Sequence, residues 1–241
     1  AQGNFDNFSV GGTSVSAEKD TIGPEIRMLY LNDTTFTDGG QVNTTPYFVA
    51  QLWDKSGVNI TGSSIGHDMM LIIDDSPLLG YNLNSYYELL PGEEGAGIVR
   101  FSIPQLKPGI HTAEFWVWDI QNNSTVHRFT FEVVEGLKPF IFDVIATPTP
   151  AREQVTFHIT HNRPESRMQV GVMVYDLSGR RLWKHEESGA SDLFNGYSVS
   201  WNLTIGNGAR VRPGVYIYRA AIRTDNSKEA TKAHKFIVLG E

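Results

Sequence analysis

Cysteine is absent from this 241-residue sequence, which removes disulfides, thiolate nucleophiles and cysteine metal sites together. No run of about 18 apolar residues occurs, so nothing crosses a bilayer as a helix. No stretch carries the 3.6-residue period of an amphipathic helix either. The motifs of nucleophilic and metal chemistry are missing too: there is no Gly-x-Ser-x-Gly elbow, no His-Glu-x-x-His and no EF-hand loop. Basic residues are scarce at first, with 6 Lys/Arg against 17 Asp/Glu in residues 1–136, and then in excess, with 14 against 10 in residues 137–241. The acidic first part argues against nucleic acid as a general partner. The change of sign near residue 136 points to two bodies with different surfaces. A weakly basic second body suits an anionic surface, although scattered solvated Lys and Arg are the commoner explanation.

What the sequence does contain is strand pattern. An apolar content of 40% with 11% aromatics is enough for two cores, and 23 Gly and 11 Pro supply turns for many short strands. Val170, Val172 and Val174 alternate with Gly171, Met173 and Tyr175, the period of a strand packed on at least one face. Asp176-Leu-Ser-Gly179 is turn chemistry, so this strand should reverse and pair with Arg180–Trp183. Val155–Thr160 before it and Pro213–Arg219 after it alternate in the same way, with Trp201 between. Upstream, strands are expected at Glu25–Leu31, Tyr47–Trp53, Met69–Ile73, Ile98–Ile103, Thr112–Asp119 and Val126–Val133. Turn signals separate them at Asp38-Gly-Gly40, Lys55-Ser-Gly57, Lys107-Pro-Gly109 and Gln121-Asn-Asn123.

The expected fold is all-β, two consecutive immunoglobulin-like β-sandwich domains. Residues 1–20, with Phe5–Val10 and Gly11-Gly12, read as the end strand of a preceding domain and a linker, so the protein is expected to begin earlier. Residues 21–136 form the first sandwich. Leu137-Lys-Pro139 and Ala146-Thr-Pro-Thr-Pro150 read as a Pro-punctuated lead-in to the second, residues 137–241.

Several constellations invite chemistry, and each has a plainer reading. His67 and Asp68 near Asp74 and Asp75 offer metal ligands or acid–base groups, but match no ligand spacing and read better as a capped loop before a strand. Asp119 with Asn122, Asn123 and Ser124 supplies oxygens of the kind Ca²⁺ takes. The same residues make hairpin turns, which is the favoured reading. Ala113, Phe115 and Val117 are expected to point inward, leaving Trp116 and Trp118 as an exposed aromatic platform or a second packing surface. Tyr86-Tyr87 and the Tyr216/Tyr218 pair stack on sugars or simply pack. Asn-x-Ser/Thr sequons at Asn32, Asn43, Asn59, Asn122, Asn123 and Asn202 read as polar turns. No catalytic, cofactor-binding or metal residue is assigned, and no cofactor is expected.

The order of motifs carries a resemblance. Phe5-Asp-Asn-Phe-Ser-Val-Gly-Gly12, Asp20–Ile26, Asp38-Gly-Gly40, Asn43-Thr-Thr-Pro46, Leu52–Asn59, Gly62–Asp68, Leu106–Thr112 and Trp118–Ser124 resemble the region after the catalytic domain in the PorU-type, gingipain-like sortases of the type IX secretion system of Bacteroidetes. Thr147–Ala151, Val174–Arg180, Trp201 and Pro213–Arg219 resemble the C-terminal β-domain by which that system recognises its cargo, and are similar to an immunoglobulin-like domain of flagellar hook-cap proteins. The family's peptidase chemistry uses a Cys-His pair in an upstream α/β domain, so no catalytic residue carries over to this chain, which is expected not to be an enzyme by itself. The resemblance implies a retained secretion signal and an anchor that docks the peptidase on a PorV-type outer-membrane β-barrel partner, beside other attachment-complex components, at the cell surface. It also marks Asp20-Thr21-Ile22 and Asp33-Thr34-Thr35 as similar to O-glycosylation sites of Bacteroidetes. A carbohydrate-binding β-sandwich module using Trp116, Trp118 or Tyr86/Tyr87 is the alternative; a self-assembling structural protein is a second.

Overall fold

A computed structural model of the protein describes residues 20–61, 66–192, 196–206, 208–224 and 227–240. The end strand expected at Phe5–Val10 lies outside the described residues. The first nine strands are β1 (Glu25–Leu31), β2 (Gln41–Val42), β3 (Tyr47–Trp53), β4 (Met70–Ile73), β5 (Gly80–Asn82), β6 (Tyr87–Leu89), β7 (Ala96–Ser102), β8 (Gly109–Trp118) and β9 (Ser124–Val133). They form a four-stranded sheet in the order β1-β3-β7-β6 and a five-stranded sheet in the order β2-β9-β8-β4-β5. The first is the ABED order of an immunoglobulin domain, and β9-β8-β4-β5 is its GFCC′ order, with β2 added parallel to β9.

Seven strands follow: β10 (Ile141–Thr147), β11 (Val155–His161), β12 (Arg167–Tyr175), β13 (Arg181–Ala190), β14 (Gly196–Trp201), β15 (Gly214–Thr224) and β16 (Ala230–Val238). Their sheets run β10-β11-β14 and β13-β12-β15-β16. The fold is all-β and immunoglobulin-like, as the alternation predicts. Among the described residues, two large apolar cores hold it. One gathers Leu31, Phe48, Leu52, Leu71, Val99, Phe115 and Phe131. The other gathers Val155, Phe157, Val172, Val174, Trp201, Tyr218 and Phe236. Each such side chain taken from water contributes about 1.5–3 kcal/mol, the main force closing each pair of sheets.

Local chemistry explains the hairpin of β12 and β13. Val170, Val172 and Val174 are buried and the intervening residues face the other way. In the turn, the Asp176 carboxylate accepts the N–H groups of Ser178 and Arg180, both at 3.0 Å, while Gly179 adopts a φ of 85° that favours glycine. The chain reverses there and the strands pair antiparallel, Val172 opposite His185.

Three expectations need correction. Among the described residues the first sandwich holds nine strands rather than six, because β2, β5 and β6 are only two or three residues long and carry too little sequence to alternate visibly. The Pro-rich lead-in is not all linker: Ile141–Thr147 is β10, the first strand of its sheet, in which a register shift between Ile141 and Asp143 breaks the period-2 pattern. The strand expected at Arg180–Trp183 runs on to Ala190, held by pairing with β12 rather than by its own polar sequence.

Candidate functional site

One group of carboxylates converges among the described residues. Asp20, Asp54 and Asp119 place an oxygen each within 4.8 Å of one another at one end of the first sandwich. Asp119 directly follows β8 and is fully buried, and Asp54, just after β3, is 4% exposed. Each has a structural task. Asp119 Oδ1 accepts the N–H of Gln121 at 2.8 Å and of Asn123 at 2.7 Å, and its Oδ2 accepts from the Asn123 amide at 2.6 Å. Asp54 Oδ1 accepts from the backbone and hydroxyl of Ser56 and from the N–H of Gly57, all within 2.9 Å. Asp20 is stitched on by its backbone: its N–H donates to the Gln121 side chain and its carbonyl accepts from Asn123, both at 3.2 Å. Gly23 completes the approach, since a Cβ there would lie 2.6 Å from the Ser124 carbonyl.

This arrangement bears out the turn reading of Asp119, Asn122 and Asn123. It adds Asp20 and Asp54, which a search of the local sequence around Asp119 misses. The Asp-x-Ser-Gly turn at Asp54 was legible, but that it meets Asp119 follows from the register of distant strands. Three carboxylates at this spacing are the oxygen set a hard cation takes; their hydrogen bonds to backbone N–H groups account for them equally well.

The other candidates separate. Asp68 accepts from the Asn84 amide at 2.7 Å, and His67 packs tilted against Trp118 with ring centroids 4.2 Å apart. Asp74 faces elsewhere, accepting from Thr112 N–H at 3.0 Å and bonding His111 Nδ1 at 2.7 Å, while His111 Nε2 meets the Lys107 carbonyl at 2.8 Å. No acid–base pair forms between the His67 and Asp74 groups. Ala113, Phe115 and Val117 are buried as expected, and Trp116 and Trp118 are half-buried. Trp116 donates its indole N–H to Glu114 at 3.1 Å. Tyr86 packs edge-on against Phe101, and Tyr87 lies over Gly97, where no Cβ would fit. Tyr216 and Tyr218 are core residues; Tyr218 donates to the Val144 carbonyl at 2.7 Å, tying β15 to β10.

Asn32, Asn43 and Asn59 are buried. Asn32 donates to Asn43 at 3.0 Å, and Asn202 and Asn59 each accept from the Thr two residues on. The sequon residues thus serve as polar turns and braces. Thr21 and Thr34 are exposed.

On the stretch that joins β9 to β10 the sequence offered no candidate, and the structure places a fully buried arginine against it. Arg163, just after β11, donates to the carbonyls of Leu137 and Lys138 at 3.2 and 3.4 Å, across the stretch that joins β9 to β10. Nearby, burial pushes the Tyr47 hydroxyl up to about 12, and the Glu165 carboxylate adds to the rise, although Tyr47 belongs to β3. Tyr47, Val49 and Ile98 form a small buried cluster of their own.

No protein-family model and no curated protein matches the chain. Among solved structures, dimeric latent PorU from Porphyromonas gingivalis is 40% identical over 92% of this chain and 21% of that chain, with a TM-score of 0.53. The Ig1-2 module of the Drosophila receptor protein tyrosine phosphatase DLAR shares 11% identity over 90% of this chain and 98% of its own, with a TM-score of 0.32. CopC from Methylosinus trichosporium shares 16% over 44% of this chain and 93% of its own, at 0.27. Those two likenesses are too distant to carry an argument. This chain spans about a fifth of the length of the P. gingivalis protein. Identity at that level over nearly the whole sequence, on an all-β immunoglobulin-like frame, fits the C-terminal part of a PorU-type protein.

Proposed function

We propose that the chain is the non-catalytic C-terminal portion of a type IX secretion sortase. Residues 21–136 act as spacer and scaffold, and residues 137–241 act as a retained secretion signal and as the anchor that docks the peptidase on a PorV-type outer-membrane barrel at the cell surface. The observation that carries this reading is the 40% identity to PorU over 92% of the chain. The side chains support a binding role over an enzymatic one: the acidic group at Asp20, Asp54 and Asp119 is occupied in holding loops, and the His67 and Asp74 groups lie apart. A glycan-binding reading gains nothing from Trp116 and Trp118, which are half-buried and engaged.

The test uses the full chain as bait on solubilised outer membranes, with cross-linking and mass spectrometry to name the captured protein and the contact. Recovery of a PorV-type barrel cross-linked within residues 137–241 is the expected result. Contacts confined to residues 21–136, or no barrel recovered, would overturn the anchoring role. Incubation with signal-bearing cargo should release no cleaved product.

A further inference from the structure

A sheet ends at its edge strands, where main-chain N–H and C=O groups point outward with no ladder to join, and a folded protein either closes such an edge or uses it. Among the described residues, the sandwich of β10–β16 has four edges, β10, β14, β13 and β16. On β10 the Asp143 carboxylate accepts the N–H of Val144 at 2.8 Å, the Tyr218 hydroxyl donates to the Val144 carbonyl at 2.7 Å, and Lys232 donates to the Phe142 carbonyl. On β16, Ile237 donates its N–H to the Thr149 hydroxyl at 3.2 Å and accepts from the N–H of Ala151 at 2.7 Å. β14 is six residues long, and Asp192 holds both main-chain groups of its first residue, Gly196. β13 differs. It is ten residues long and pairs with β12 alone, and among the described residues no side chain or loop bonds the main chain of Arg181–Ala190 on its other side.

Charge guards this edge. Lys184 and Glu186 stand exposed on one face of β13, 2.7 Å apart, and an incoming strand is repelled where it sets a like charge against either and favoured where it sets an opposite one. Geometry limits which residues can meet. In an antiparallel pair, opposed residues either both turn their main-chain groups to the partner or both turn them away. Alternate residues of β13 already bond β12, so two copies of β13 join only where opposed residues are an even number apart, about a two-fold axis through one residue. An axis at Lys184 sets lysine against lysine, and one at Glu186 sets glutamate against glutamate. Only an axis at His185 sets Lys184 of each copy against Glu186 of the other. With the pair inside each copy, the four charges then alternate in a ring on one face.

We propose that the open edge of β13 pairs antiparallel with the same strand of a second copy of this chain, about an axis at His185. The two four-stranded sheets then run on as one, β13 meeting β13 at the centre. Main-chain hydrogen bonds supply the affinity, and the ring of Lys184 and Glu186 supplies the register. The pairing is independent of the anchoring role, and its tests need no outer-membrane partner.

Sedimentation velocity of the full chain over a concentration series should show a reversible dimer. Lys184→Glu and Glu186→Lys, both at exposed positions, each create two like-charge contacts across the axis and should weaken it by about tenfold or more. An equimolar mixture of the two variants restores opposite charges at both contacts and should dimerise as the unaltered chain does. A second readout fixes the axis. The sequence has no cysteine, so His185→Cys carries the sole thiol, and opposed strand residues, about 4.5–5.5 Å apart, lie within disulfide reach. Mild oxidation should link His185→Cys chains into dimers, while Lys184→Cys and Glu186→Cys, each two positions out of register with itself, should stay unlinked. A monomer at all concentrations, a dimer indifferent to both charge reversals, a mixture no better than either variant alone, or linkage through the Lys184 or Glu186 position in place of His185 would each overturn the proposal.

Discussion

His161 closes β11 with none of its surface exposed, and its Nδ1 accepts the N–H of Arg163 at 3.1 Å. The imidazole is therefore held neutral. Burial pushes its pKa down to about 4, with Asp192 opposing the shift and Arg163 adding to it. An unfolded histidine titrates near 6.5, so between about pH 6.5 and 4 the unfolded chain binds a proton that the folded chain refuses. Stability must fall as pH drops through that window, by roughly 3 kcal/mol for the full shift. His161→Gln, whose amide oxygen can still accept from Arg163, should flatten the slope in urea denaturation at a series of pH values; an unchanged slope would locate the acid sensitivity elsewhere. Further loss below about pH 4 belongs to carboxylates in both proteins. Asp143 is held low by the N–H of Val144, and Glu114 by Arg128.

At the scale of an element, the loops after β8 and β12 show how one turn chemistry has two costs. Asp119 and Asp176 each bind backbone N–H groups two and four residues on. Asp119 does so fully buried, where its loss leaves donors without water, and Asp176 does so at the surface. Asp119→Ala should therefore cost about 2–3 kcal/mol, and Asp176→Ala distinctly less, in chemical denaturation; equal losses would mean that burial is not what makes the Asp119 bonds matter. Both turns were legible, as were β1 and β3 to the residue, because alternation and turn residues are local. β16 was not. Its Lys232, His234 and Lys235 are polar, and it is a strand because β15 offers it a ladder from Ala230 to Val238.

For the whole molecule, Arg163 pins the stretch that joins β9 to β10, reaching from just after β11 to the carbonyls of Leu137 and Lys138. Arg163→Met removes both bonds, worth about 1–2 kcal/mol together, and should raise the open population of the joint roughly tenfold. Native-state hydrogen exchange reads this as faster exchange of the Phe140 and Asn162 amides beside it; no change in rate would show that other contacts hold the joint. By itself the sequence determined the fold class, the central strands, the tight turns and the PorU-type kinship, since these rest on residue order and near neighbours. Only the tertiary structure decided which carboxylates meet at the tip, that a strand begins inside the Pro-rich stretch, where a buried arginine clamps the joint and which strand edge is left open. Each of those depends on strands distant in sequence lying about 5 Å apart, and a linear pattern carries no record of which strand will be the neighbour.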